Sequence, residues 1–198
     1  MQGFQRIDGA MLAIFEPQEV SILGGLLDQM TELLMDAGLG GITDNPPDGS
    51  APDDVLRRLE WEMTCGYEVA EERSTDPVLQ RLFPDAYPDD PAASYDFRRF
   101  TQAAQRDAKV EHAITVSRDL RHASDDGRCC FGDESVTPWL ITLTNLRLAI
   151  ATRLGIDDAE TADMMAELPD DDPRAWGHSV YEWVGWVQES LLAALEDG

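Results

Sequence analysis

Three cysteines are the residues best suited to chemistry in this 198-residue chain, because a thiolate is both a nucleophile and a redox partner. Cys129 and Cys130 are neighbours in the run RCCF (Arg128–Phe131), which reads as a short strand. Their side chains should then point to opposite faces, and a bond between them would be strained. Cys65 lies far off in sequence and offers a disulfide partner to either one, which would make a thiol switch under oxidation. Arg128 is placed to lower a neighbouring thiol's pKa. The plain alternative is that all three thiols are small apolar fillers.

Other chemistry finds less support. His112, His122 and His178 show no paired ligand spacing, and neither CxxC nor HExxH occurs, so no metal is implied. There is no Gly-rich phosphate loop and no GxSxG, so no cofactor or catalytic residue is assigned. Carboxylates are too numerous for any catalytic pair to be read without geometry. The expectation is a protein that is not an enzyme.

Charge narrows the partners. The chain carries 39 acidic residues against 15 basic ones, a net of −24, and Lys109 is its one lysine. Nucleic acid is bound through basic patches that neutralise phosphates. Here only Arg57-Arg58, Arg98-Arg99 and Arg118–Arg121–His122 cluster, so direct DNA binding is disfavoured. No signal peptide and no apolar run long enough to span a bilayer occur, which reads as a cytoplasmic protein without a membrane role.

The elements that must position these residues are mostly helices. Asp8-Gly9 between FQRI and AMLAIF signals a β-hairpin over 3–15. Pro17 and Glu19 open a core-facing helix with Val20, Leu23, Leu27, Met30 and Leu34 inward, ending near Gly38–Gly41. The Pro/Gly/Asp run 44–54 reads as a flexible loop, followed by a helix with Val55, Leu56, Leu59 and Met63 inward. Asp76-Pro77 and Asp90-Pro91 start two more helices. Thr101 then caps a separate outer helix of about 102–122, with Ala108, Ile114 and Ser117/Leu120 on its inner side.

Pro138–Leu154 is apolar on more than one side, with Trp139, Leu143, Leu146, Ile150 and Leu154 in one stripe. That pattern belongs to a central helix, opened by Thr137 as cap and Pro138 as first residue. Arg147 lies about 60° from the centre of the stripe at 100° per residue. An arginine buried there needs a carboxylate, with Glu189 or Asp85 as candidates, and Asn145 needs partners too. The acidic stretch 157–172 is irregular, with one helical turn near Ala159–Met165. Asp172-Pro173 opens the last helix, with Trp176, Val180, Trp183, Val187, Leu191 and Ala194 as its core stripe. Trp186 falls on one flank and Tyr181 and Leu192 on the other, which makes these three the candidate partner surface. The whole reads as one mainly α domain over 1–198, a compact multi-helix bundle around a central apolar helix with a small N-terminal β-hairpin.

Three stretches add a resemblance. RLFPDAYPDDP at Arg81–Pro91 with DFRRFT at Asp96–Thr101, WLITLTNLRLAIATRLGI at Trp139–Ile156, and VYEWVGWVQESLLAAL at Val180–Leu195 make the chain resemble the actinobacterial AosR family of oxidative-stress regulators. The resemblance implies a cytoplasmic, mostly helical protein acting in transcriptional control under oxidative stress through RNA polymerase or a sigma factor. It also implies an alternative link to Clp proteolysis, since genes of that family often neighbour a Clp adaptor gene. A homodimer is a further expectation. None of the cysteines matches a family motif, so the thiol switch rests on the residues alone.

Overall fold

The computed structural model describes residues 1–36, 74–123, 126–169 and 171–196. The loop over 44–54, the helix of Val55–Met63, the helix end near Gly38–Gly41 and Cys65 lie outside the described residues. Two compact units divide the chain: Met1–Glu32 with Lys109–Gly198, and Leu33–Ala108. The boundaries fall inside two helices, α1 (Pro17–Asp36) and α3 (Pro91–Arg121).

The first unit begins with the hairpin of β1 (Gln2–Ile7) and β2 (Ala10–Ile14). Asp8 and Gly9 both take positive φ, 51° and 82°, as a two-residue turn with the twist of its strands requires. β3 (Arg128–Phe131) adds antiparallel to β2, giving the order β1-β2-β3. Its register sets Met11 against Phe131 and Ala13 against Cys129, so these residues share the buried face. Leu12 opposes the exposed Cys130 on the other face. The alternation expected of RCCF is thus present. Gly127 continues the β2–β3 pairing past Ile14 and Arg128: its carbonyl accepts the Phe15 amide at 2.9 Å. With φ +78°, a Cβ there would lie 1.9 Å from the Phe15 carbonyl oxygen, so only glycine fits.

Helix starts follow the capping chemistry, with two exceptions. α1 begins at Pro17, and Glu19 accepts the Glu16 amide at 2.7 Å. Leu23, Leu27, Met30 and Leu34 are buried on its inner side. α2 (Pro77–Leu82) is capped by Asp76, whose carboxylate accepts the Val78 amide at 2.7 Å. α5 (Ala159–Ala166) carries a capping box between Asp158 and Thr161.

The first exception is Thr101. It does not cap a second helix, because α3 runs unbroken from Pro91 to Arg121. The Thr101 hydroxyl instead donates to the Phe97 carbonyl at 2.8 Å, the bond a threonine makes within a helix. The inner side of α3 carries Val110, Ala113, Val116 and Leu120, whereas Ile114 is exposed.

The second exception is Pro138. α4 (Asp133–Leu154) starts five residues earlier than the proline. The N–H that Pro138 lacks would have bonded the Glu134 carbonyl, and Glu134 is exposed, so water can take that place. α4 ends at Gly155 in the left-handed region, φ 74°.

α6 (Pro173–Glu196) packs along α4 and against β1. Its buried line is Val180, Val184, Val187, Leu191 and Ala194. Trp176 leaves the expected stripe, being 65% exposed, and Trp183 is only half-buried. The core line thus runs through Val184, one residue beyond Trp183.

Candidate functional site

The first unit brings the sequence-singled residues into three places: an aromatic core under the sheet, the α4–α6 seam, and the outer side of α6. Trp139 is the centre of the first. It is fully buried and stacks on Phe131 at 5.0 Å between centroids, with Phe4 edge-on at 5.4 Å and Phe15 near-parallel at 6.2 Å. Its indole N–H donates to a carboxylate oxygen of Asp119 at 3.1 Å. Asp119 is itself buried, and its backbone carbonyl accepts the Cys129 thiol at 3.6 Å. Sequence reasoning missed Asp119, because nothing in its own helix marks it as the acceptor for a tryptophan twenty residues away.

The two adjacent cysteines therefore differ completely. Cys129 is buried, and burial first, then the charge of Asp119 and the neighbouring Cys130, push its thiol up to about 12. Arg128 does not lower it: the exposed guanidinium pairs with Asp126 at 3.5 Å. Cys130 is the exposed thiol, and both are free.

The α4–α6 seam holds Arg147. α4 is turned so that Ser135, Thr142 and Asn145 share its buried side with Trp139, Leu143 and Leu146. This rotation moves Arg147 to a half-buried rim, which corrects the expectation of a buried ion pair. Its guanidinium donates to Gln188 Oε1 at 3.3 Å and the Tyr181 hydroxyl at 3.4 Å, and lies over the Tyr181 ring at 5.2 Å. Gly185 leaves room for it. Neither proposed carboxylate is its partner: Glu189 is exposed, and Asp85 binds Arg98 within the second unit. Neutral partners take its two terminal nitrogens, while its Nε is buried without a hydrogen-bond partner. Gln188 extends the seam by donating to the Thr144 hydroxyl at 2.8 Å. Asn145 is buried; its oxygen accepts the Lys109 ammonium at 3.2 Å, and burial lowers the pKa of that lysine.

The outer side of α6 carries Trp186 and Leu192, each 44% exposed, while Tyr181 is half-buried against Arg147. Between α3 and α4 lies an open cavity of about 370 Å³ lined by Glu111, His112, Thr115, Arg118, Glu134 and Ser135 among others. No hydrogen bond joins His112 to Ser135, so no nucleophile–base pair is assembled there. Among the described residues, no group of three or more His, Cys, Asp or Glu residues could hold a metal ion. No helix among them is long and apolar enough to cross a membrane.

Residues 1–195 match the family described as a domain of unknown function, DUF2017. The chain belongs to the DUF2017 family. Relatives within curated proteins carry a more informative name. A Mycobacterium bovis (strain ATCC BAA-935 / AF2122/97) protein named "Oxidative stress regulator AosR" is 27% identical over 190 residues, covering 90% of this chain and 79% of its own length. The Mycobacterium tuberculosis (strain ATCC 25618 / H37Rv) protein of that name matches to the same extent. A Mycobacterium leprae (strain TN) protein that also bears the AosR name is 28% identical over 195 residues, covering 92% of this chain and 81% of the relative. No solved structure matches significantly. The DUF2017 match takes in every element of the first unit, from the hairpin to α6 up to residue 195.

Proposed function

We propose that this chain is a non-enzymatic regulator of the oxidative-stress response that works through a protein partner, in transcription control by way of RNA polymerase or a sigma factor. The observation that carries the reading is its likeness to relatives named oxidative stress regulators over about nine-tenths of the chain. The strong acidity supports it, since a net charge of −24 favours basic protein surfaces and repels nucleic acid. The two exposed tryptophans on α6, Trp176 and Trp186, support it as well, because tryptophan is enriched where proteins meet.

Affinity capture of the full chain from its native cell, under oxidising and reducing conditions, tests the reading. Recovery of RNA polymerase or a sigma factor is the expected result. Recovery of Clp components alone would favour the adaptor alternative, and recovery of neither would overturn the regulatory reading. A thiol switch remains a second reading because Cys130 is exposed. In that reading Cys130, rather than Cys129, is the thiol that pairs with Cys65, and a thiol count unchanged by mild peroxide would reject it.

A further inference from the structure

Trp186 does not stand alone on α6. Glu182, Trp186, Glu189, Ala193 and Glu196 follow one another at alternating steps of four and three, which places them in one straight line on a helix. All five are exposed. The line is roughly 21 Å long at 1.5 Å per residue. Along the side nearer β1 it is flanked by the exposed Trp176 and the half-buried Trp183. The outer side of α6 is thus a band of carboxylates at seven-residue spacing with an indole between the first two.

We infer that this band is a docking site for an arginine-bearing helix of a partner protein. Charge and geometry select that occupant. A second copy is disfavoured, because a two-fold contact would set Glu182, Glu189 and Glu196 against the same residues. Anionic lipid and nucleic acid are repelled by the same carboxylates, and the line holds neither lysine nor arginine. A helix packed alongside places residues seven apart on one side, matching the spacing of the glutamates. Arginine suits the site better than lysine. Its planar guanidinium bonds a carboxylate through two N–H groups and also stacks on an indole, and Trp186 lies one turn from both Glu182 and Glu189.

The inference rests on the proposal that the chain acts through a protein partner, and names the chemistry of that partner. Its test uses the full chain and a labelled helical peptide of about four turns with arginines at seven-residue spacing. A peptide of the same composition, scrambled so that the arginines surround the helix, is the comparison. Binding is read by fluorescence anisotropy for the unaltered chain, Trp186→Ala, the triple variant Glu182→Lys/Glu189→Lys/Glu196→Lys, and a second triple variant, Glu160→Lys/Asp163→Lys/Glu167→Lys. Both triples change net charge equally, and the second lies on α5 and the residue that follows it.

The expected result is preference for the patterned peptide, weakened at least about tenfold by the α6 triple and about fivefold or more by Trp186→Ala. The α5 triple should change it less than about twofold. Equal weakening by both triples, or equal affinity for the scrambled peptide, would reduce the effect to overall acidity and overturn the assignment. Self-association in sedimentation that Trp186→Ala abolishes would make the occupant a second copy and overturn it too. If the peptide binds as expected but deleting the gene leaves the oxidative-stress response of the cell normal, the regulatory reading fails and the surface assignment stands.

Discussion

Trp139 and Trp186 are the same residue type on two neighbouring helices of one unit, and their surroundings are opposite. Trp139 is enclosed by Phe4, Phe15 and Phe131, and Asp119 accepts the hydrogen bond from its indole N–H. Trp186 sits on an exposed line among glutamates. A buried, fully bonded indole contributes to holding the sheet on α4. A half-covered one, with its ring edge beside Gly3, contributes less and leaves the rest of the indole open to solvent. The adjacent cysteines repeat the contrast across a single strand, with Cys129 inward and Cys130 outward.

The largest expected effect breaks the enclosed side. Gly127→Ala must place a Cβ 1.9 Å from the Phe15 carbonyl at a φ that side chains rarely adopt, so the start of β3 must move away from the end of β2. A loss of about 4 kcal/mol or more is expected, measured by urea unfolding. An unchanged midpoint would show that this junction is not constrained. Trp139→Ala should lose about 3–5 kcal/mol by the same measurement. Trp186→Ala, in contrast, should lose only about 1–2 kcal/mol, since the residue is 44% exposed and only its ring edge reaches Gly3 of β1. Equal losses at the two tryptophans would erase the distinction between them.

The cysteines sharpen it chemically. In the folded protein at neutral pH, Cys130→Ser should remove one fast-reacting thiol in an alkylation assay, and Cys129→Ser should remove none. The sign of the pH effect follows from the raised pKa. Below the ordinary thiol value of 9.0, both folded and unfolded chains keep Cys129 protonated. Between 9.0 and about 12 the unfolded chain loses that proton first, so the contribution of the thiol to stability falls as pH rises. Cys129→Ala should therefore lessen the alkaline loss of stability over that window. The smallest effect belongs to the exposed start of α6. The Arg174 guanidinium first, and then the Arg174 amide donating at 2.8 Å, hold the Asp172 carboxyl down to about 2. Its support of the helix is present above the ordinary value near 3.8 and is lost as pH falls through about 2. A carboxyl titration by NMR with a midpoint near 4 would contradict this.

Much of the fold was legible because local chemistry decides it. Asp8-Gly9 makes the hairpin turn, Asp76 caps its helix, and RCCF alternates as a strand must. The expected mainly α architecture with a small N-terminal sheet is present, and β3 extends the hairpin to three strands. What the sequence hid depends on neighbours. Thr101 and Pro138 look like helix starts, but a threonine can bond back within a helix and a proline is tolerated near an exposed first turn. The rotation of α4 was hidden because Thr142 and Asn145 are polar, so the apolar stripe pointed elsewhere. Arg147 then reached a rim where Tyr181 and Gln188 receive it. On α6, Trp176 fitted the helical period of the core, yet it lies 65% exposed while the smaller Val184 is buried. The candidate site was legible only in part. Trp186 stood out by type, but the glutamate line beside it was hidden by the abundance of carboxylates.

The central claim is that the enclosed side of this unit is scaffold and the outer line of α6 carries its function. A strain whose own copy of the gene is replaced by the Glu182→Lys/Glu189→Lys/Glu196→Lys form, challenged with peroxide, tests it most directly. The account predicts a folded protein at normal abundance, with the transcriptional response to peroxide lost as in a deletion. A full response from that folded variant would contradict it.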